Sequence, residues 1–169
     1  MLIELPTADE IDDIAITTPR LEVRKIELDL GDKKADLNYS PCKGQIVLAI
    51  RGEQGVALVK RRGEAGWSLP SDRIGPGEDV GGSAKRVAAE QCGVKLRTSE
   101  LAGIYDVVWH YSDVSIKRLH FVYAALTDDR RCVPTNEKSV TDAKFFRELP
   151  DDFQDDSIHK CALADCSTK

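Results

Sequence analysis

Residues 66–94 read GWSLPSDRIGPGEDVGGSAKRVAAEQCGV, and this stretch limits the fold more than any other. It opens as the end of a strand (Trp67, Leu69), passes through a proline- and glycine-rich loop over 70–77, and continues as one helix closed by Gly93. Ala84, Val87, Ala88 and Cys92 recur at helical spacing and give that helix an apolar face. Asp79 offers an N-cap carboxylate, and Gly93 the left-handed C-cap position. Gly81 and Gly82 weaken the first turn by about 1 kcal/mol each relative to alanine, so packing has to hold the helix.

Strand patterns lie on both sides of it. Residues 44–50 (GQIVLAI) and 56–62 (VALVKRR) form two strands joined at 51–55, and the apolar run of the first is that of a strand buried on both faces. Residues 101–110 and 114–127 read as a second pair, followed by a polar loop over 128–138, a short strand at 143–146 and a helix around 155–164. Upstream, residues 1–20 read as an irregular or short helical lead-in. Ile26, Leu28 and Leu30 then alternate with charged residues, and a turn at 31–34 makes 21–30 and 35–41 a hairpin. The division expected is an N-terminal extension over 1–41 and a main domain over 42–169. The hairpin reads as a peripheral edge ribbon, with a homodimer contact through 21–41 as the sharper alternative. Strands flanking a helix, with a further helix at the end, pack as a mixed α/β sandwich.

Composition removes several function classes. A formal net charge of −5 argues against a general nucleic-acid or anionic-membrane binder. The apolar runs at 46–50 and 121–126 are too short to span a bilayer, and the acidic start MLIELPTADEIDD is no signal peptide. Five scattered cysteines imply no disulfide framework, which makes a reducing cytoplasm the default location. His159, Cys161 and Cys166 match no standard zinc spacing. Gly75 to Lys85 is glycine-rich without a following Gly-Lys-Ser/Thr, so no nucleotide P-loop is present; a dinucleotide fingerprint and a nucleophile elbow around Ser83 are also missing.

One pattern is specific. Gly-Trp-x-Leu-Pro, then Pro-Gly-Glu, an arginine eight residues after that glutamate, and a carboxylate-bearing helix closed by glycine resemble the Nudix hydrolase family. The resemblance covers roughly 42–150 and implies a Nudix-like α/β/α sandwich with a mixed β-sheet. The family box runs G-x5-E-x7-R-E-U-x-E-E-x-G-U, with U apolar. Glu78, Arg86, Glu90, Gly93 and Val94 match it, whereas Asp72, Val87 and Gln91 stand where the box has Gly, Glu and Glu.

The resemblance implies helix glutamates that hold Mg or Mn against the diphosphate of a nucleoside diphosphate derivative while water attacks phosphorus. Hard cations need anionic oxygen ligands, and Val87 supplies none, while Gln91 offers only a neutral carbonyl. One metal therefore fits better than a pair, with Asp72, Glu78 and Glu90 as ligand candidates. Glu137, in the loop before the 143–146 strand, stands where many relatives place a late metal-binding or water-positioning glutamate. Glu90, Arg86 and Glu137 are the catalytic candidates, and Trp67 and Arg86 the substrate-binding ones. The alternative is a catalytically silent Nudix-fold module that binds a nucleotide-like ligand or a protein.

Each of these residues also has an ordinary role. Arg86 and Glu90 are an i, i+4 helix pair, in the less favourable order for such pairs. Glu78 near a helix start complements the macrodipole. Trp67 is a natural core anchor, and Tyr105, Trp109 and Tyr123 are natural packing residues. His110 and His120 are replacement-base candidates, though each falls on a strand. GDP-mannose mannosyl hydrolases, Nudix-like enzymes that attack carbon, also lack the glutamate after the arginine. They carry a histidine in a later loop, and this chain has none between Phe121 and Ile158.

Overall fold

The computed structural model describes residues 22–33, 44–136, 138–154 and 157–167. The strands are β1 (Glu22–Gly31), β2 (Gln45–Gly52), β3 (Gly55–Arg61), β4 (Trp67–Ser68), β5 (Ser71–Arg73), β6 (Thr98–Tyr111), β7 (Ser115–Leu126) and β8 (Val140–Phe146). Helix α1 covers Val80–Val87 and runs on without a break into a π-helical turn at Ala88–Cys92; α2 covers Ser157–Ser167. The main path of the sheet is β1-β6-β7-β2-β3-β4, with β5 beside β2 and β8 beside β3. β1–β6 and β2–β7 are parallel pairs and the others antiparallel, so the sheet is mixed.

β2 explains the layering. Ile46, Leu48 and Ile50 point to one face, where they meet Ala84, Val87, Ala88 and Cys92 of the first helix. Val47 and Ala49 point to the other, where they join a cluster containing Ile158, Ala162 and Cys166 of α2. A period of two on a strand with helices over both faces requires an unbroken apolar run, and residues 46–50 supply it. The expected α/β/α sandwich with a mixed sheet is therefore the observed architecture.

Several boundaries differ from expectation. The 70–77 loop contains β5, which pairs Ser71, Asp72 and Arg73 with Val47, Ile46 and Gln45. The first helix starts as expected, with Asp79 Oδ1 accepting the Gly82 N–H at 2.5 Å, but its last turn widens to π geometry before Gly93 closes it at φ +63°. Glycine is required at that point for a second reason. A Cβ there would lie 2.0 Å from the Val133 carbonyl oxygen, so the loop after β7 rests directly on the helix end. β1 joins the main sheet in parallel with β6; the second arm expected at 35–41 and the lead-in at 1–20 lie outside the described residues.

Candidate active site

Arg86 gathers the carboxylates. Its Nε donates to Glu78 Oε1 at 2.6 Å, Nη1 to Asp72 Oδ2 at 3.0 Å and to Glu90 Oε2 at 3.2 Å, and Nη2 to the Arg73 carbonyl at 2.9 Å. Three elements converge here because β5 carries Asp72, the following loop carries Glu78, and the helix carries Arg86 and Glu90 one turn apart.

The three acids are not equivalent. The second oxygen of Glu78 accepts the Gly75 N–H at 2.8 Å and the Ser83 hydroxyl at 2.7 Å. The Ser83 hydrogen bond, with Arg86 and the Gly75 amide behind it, holds the Glu78 carboxyl down to about 2. Both of its oxygens are thus engaged by the protein. Asp72 and Glu90 keep side-chain exposures of 44% and 39% and share one guanidinium nitrogen, so their carboxylates stand side by side on the open side of the cluster.

The two non-matching helix residues face inward. Val87 is fully buried in the core between helix and sheet. Gln91 is buried and locks β5 in place: its amide donates to the Ser71 carbonyl at 2.8 Å, and its carbonyl accepts the Ser71 N–H at 3.2 Å. A carboxylate could not make the first of these bonds, because it has no proton to give. The same Gln91 carbonyl also accepts from Arg61 Nη2 at 3.2 Å, and that nitrogen reaches the Ser71 carbonyl at 2.8 Å and hydroxyl at 2.9 Å.

Arg61 was not among the residues singled out by sequence. It is half-buried, its hydrogen bonds go to neutral groups, and burial pulls its pKa below the usual arginine value, with Glu64 and Asp72 opposing only through charge. The signal was present in the strand: Ala57 and Val59 are inward positions, and Arg61 follows at the same period of two.

Trp67, His110 and His120 lie elsewhere. Trp67 is 8% exposed and packs edge-on against Phe146 at 4.8 Å, on the α2 face of the sheet, away from Arg86. His110 is bonded to Ser115 Oγ at 2.8 Å, with its other nitrogen 3.5 Å from Glu27. His120 is buried against Trp109, at 5.5 Å between ring centroids. Neither histidine contacts the carboxylate cluster. Glu137 lies outside the described residues, but its neighbours Thr135 and Asn136 donate backbone N–H bonds to the Glu90 carbonyl at 2.9 and 3.1 Å. An open groove of about 790 Å³ lined by Arg62, Thr135, Asn136 and Lys138 adjoins that turn.

His120 carries a pH consequence. Burial, aided by the Arg118 charge, drives its pKa down to about 3. The unfolded chain binds that proton near pH 6.5, so the contribution of neutral His120 is complete above 6.5 and is lost as pH falls towards 3, at up to about 1.4 kcal/mol per pH unit. Urea unfolding at pH 7 and pH 5 should show a loss in the parent that is smaller by about 1–2 kcal/mol in His120→Leu. Equal losses in both proteins would contradict this.

A pair of divalent cations does not suit these donors. Among the described residues no group of three or more His, Cys, Asp or Glu is placed to hold a metal ion. One hydrated cation does suit them, because Mg²⁺ is commonly held by one or two carboxylates together with substrate phosphates, and Asp72 and Glu90 offer two adjacent exposed ones.

A strand–loop–helix of this form on a mixed sheet, covered by a helix on each face, is a Nudix arrangement, and the NUDIX domain model matches residues 42–160. The chain belongs to the Nudix family. A Bacillus subtilis (strain 168) protein provisionally named 8-oxo-dGTP diphosphatase is 33% identical over 64 residues, 38% of this chain and 43% of that protein. The chain thus spans less than half of that relative's length. Among solved structures, a mutant of the Bacillus subtilis pyrophosphohydrolase BsRppH superposes with a TM-score of 0.58 at 14% identity, covering 79% of this chain and 87% of that one. A NUDIX hydrolase from Nitrosomonas europaea gives 0.59 at 18%, with coverages of 73% and 87%. The NUDIX domain of Shewanella oneidensis NrtR, solved with ADP ribose, gives 0.57 at 19%, with coverages of 73% and 85%. At such identities the likeness establishes the fold.

Proposed function

We propose that this chain binds the diphosphate of a nucleoside diphosphate derivative beside Arg61, Asp72 and Glu90, and hydrolyses it with one hydrated Mg²⁺ or Mn²⁺. The observation that carries the reading is Arg61, a half-buried cation bonded only to neutral groups, which feels the charge of Asp72, one of the two carboxylates that Arg86 holds at the open side. A guanidinium in that state favours an anionic oxygen ligand, which it can bind in a forked geometry. Nudix hydrolases generally use divalent cations, and here Asp72 and Glu90 would hold one. When bound, it supplies charge neutralisation at the phosphates.

The residues of the chain set the rest. Arg86 holds one Glu90 oxygen at 3.2 Å, and on this reading the other orients a water or accepts its proton. Arg86 acts through those acids and is a positioning residue. Glu137 remains a second candidate for the same work.

The alternative, a module that binds without turnover, is favoured by the inward packing of Val87 and Gln91, which leaves this helix one exposed acid in the box. Incubation with ADP-ribose, nucleotide sugars and nucleoside triphosphates, with Mg²⁺ or Mn²⁺, separates the two. The hydrolase reading expects turnover of at least one compound, reduced about 100-fold or more in Glu90→Gln. Binding of a compound in calorimetry with no turnover in any condition would establish the silent module instead.

A further inference from the structure

We propose that Cys92 and Cys132 form an oxidative modification site, a dithiol that closes to an intramolecular disulfide when it meets a low-molecular-weight disulfide. Forty positions separate the two cysteines in sequence, yet the fold sets them together. Cys92 ends the π-helical turn and is fully buried; Cys132, in the loop after β7, is half-buried and packs against the same apolar cluster. The Val133 N–H donates to the Cys92 carbonyl at 2.9 Å, and the Val133 backbone lies so close to Gly93 that no side chain fits between them. A backbone bond between such neighbours brings the two Cα atoms to about the separation a disulfide requires, roughly 4.4–6.8 Å. The Cys132 thiol is within hydrogen-bonding reach of the Cys92 thiol, and this contact, followed by burial, raises the Cys92 pKa. Cys92 is thereby kept as a protonated, shielded thiol while Cys132 stays accessible.

The other described cysteines lack this arrangement, since Cys161 and Cys166 stand on α2 at the opposite face of the sheet. Accessibility orders the chemistry. With oxidised glutathione as reagent, the Cys132 thiolate attacks one glutathione sulfur, breaking the reagent S–S bond and releasing one reduced glutathione. Cys92 then gives its proton to solvent and attacks the Cys132 sulfur, which releases the second glutathione. Two protein thiols are oxidised, and one molecule of reagent disulfide is reduced to two thiols. The new bond pins the segment that runs from Cys132 to Thr135 and Asn136, whose amides already hold the Glu90 carbonyl.

The test is incubation of the full chain with oxidised glutathione, followed by intact mass, a tryptic map without reduction, and thermal unfolding. We expect a mass lower by two hydrogens, a link between the peptides 87–95 and 132–138, and a thermal midpoint raised by about 5 °C or more. Cys132→Ser, with Cys132→Ala as a second variant, should lose both the link and the rise. A glutathione adduct that persists on Cys132, a link confined to Cys161 and Cys166, or an unchanged set of free thiols would each overturn the proposal. None of these readouts depends on whether the chain hydrolyses a nucleotide.

Discussion

Replacing Arg61 with methionine is expected to weaken the binding of a nucleoside diphosphate ligand such as ADP-ribose by about 30- to 100-fold, while stability stays within about 1 kcal/mol of the parent. The two halves of this result have separate causes. Arg61 Nη2 gives hydrogen bonds to Ser71 and Gln91, but Gln91 and Ser71 also bond to each other, so β5 keeps its attachment without the guanidinium. Methionine fills similar space and removes the desolvation cost of a half-buried charge, which offsets the lost hydrogen bonds. The ligand has no such compensation, because a charge-assisted contact to phosphate is worth about 2–3 kcal/mol. Isothermal titration calorimetry with the ligand and urea unfolding of the same preparation decide the matter. A large fall in stability with unchanged affinity would make Arg61 a structural residue and remove the observation on which the proposed function rests.

Arg86→Met should behave in the opposite way, costing about 3 kcal/mol of stability at pH 7. The substitution leaves Asp72, Glu78 and Glu90 facing one another with no cation between them, and the Arg73 carbonyl loses its Nη2 donor. Exposure of Asp72 and Glu90 lets water screen part of the repulsion, so the cost falls at the low end for breaking such a network. Its pH dependence carries the signature. The folded Glu78 pKa is depressed to about 2, so its contribution is complete above the unfolded value near 4.3 and is lost as pH falls towards 2. Without Arg86 that depression shrinks, because one of its main causes is gone. The deficit of the variant should therefore narrow between pH 5 and pH 3. A deficit of constant size across that range would mean that Arg86 acts by packing alone.

The parts legible in the sequence are those set by short-range patterns. β2 could be read from five consecutive apolar residues, and the helix start from Asp79 and its end from Gly93, since each depends on neighbours within one turn. Arg86 was legible for the same reason, as the box spacing places it between Glu78 and Glu90. The π-helical turn was not, because a run of five residues, Ala88–Cys92, is too short to separate a wider period from the ordinary one. Gln91 read as a weakened metal ligand. Its grip on Ser71 became visible only once β5 lay beside the helix, a contact across twenty positions. Arg61 lay within the strand read at 56–62, and what sets it apart from Lys60 and Arg62, its bonds to Ser71 and Gln91, spans 10 and 30 positions.

The parallel pairing of β1 with β6 has a consequence for how the molecule assembles. Glu22 pairs with Gly103 and Asp29 with His110, so among the described residues the first strand meets its partner only once the chain has emerged beyond those positions. Hairpins such as β2–β3 and β6–β7 close over short spans and can form early, whereas a loop of this length closes at greater entropic cost. The margin of the sheet is thus filled by a latecomer, and the architecture that holds the carboxylates can be in place before that border is sealed.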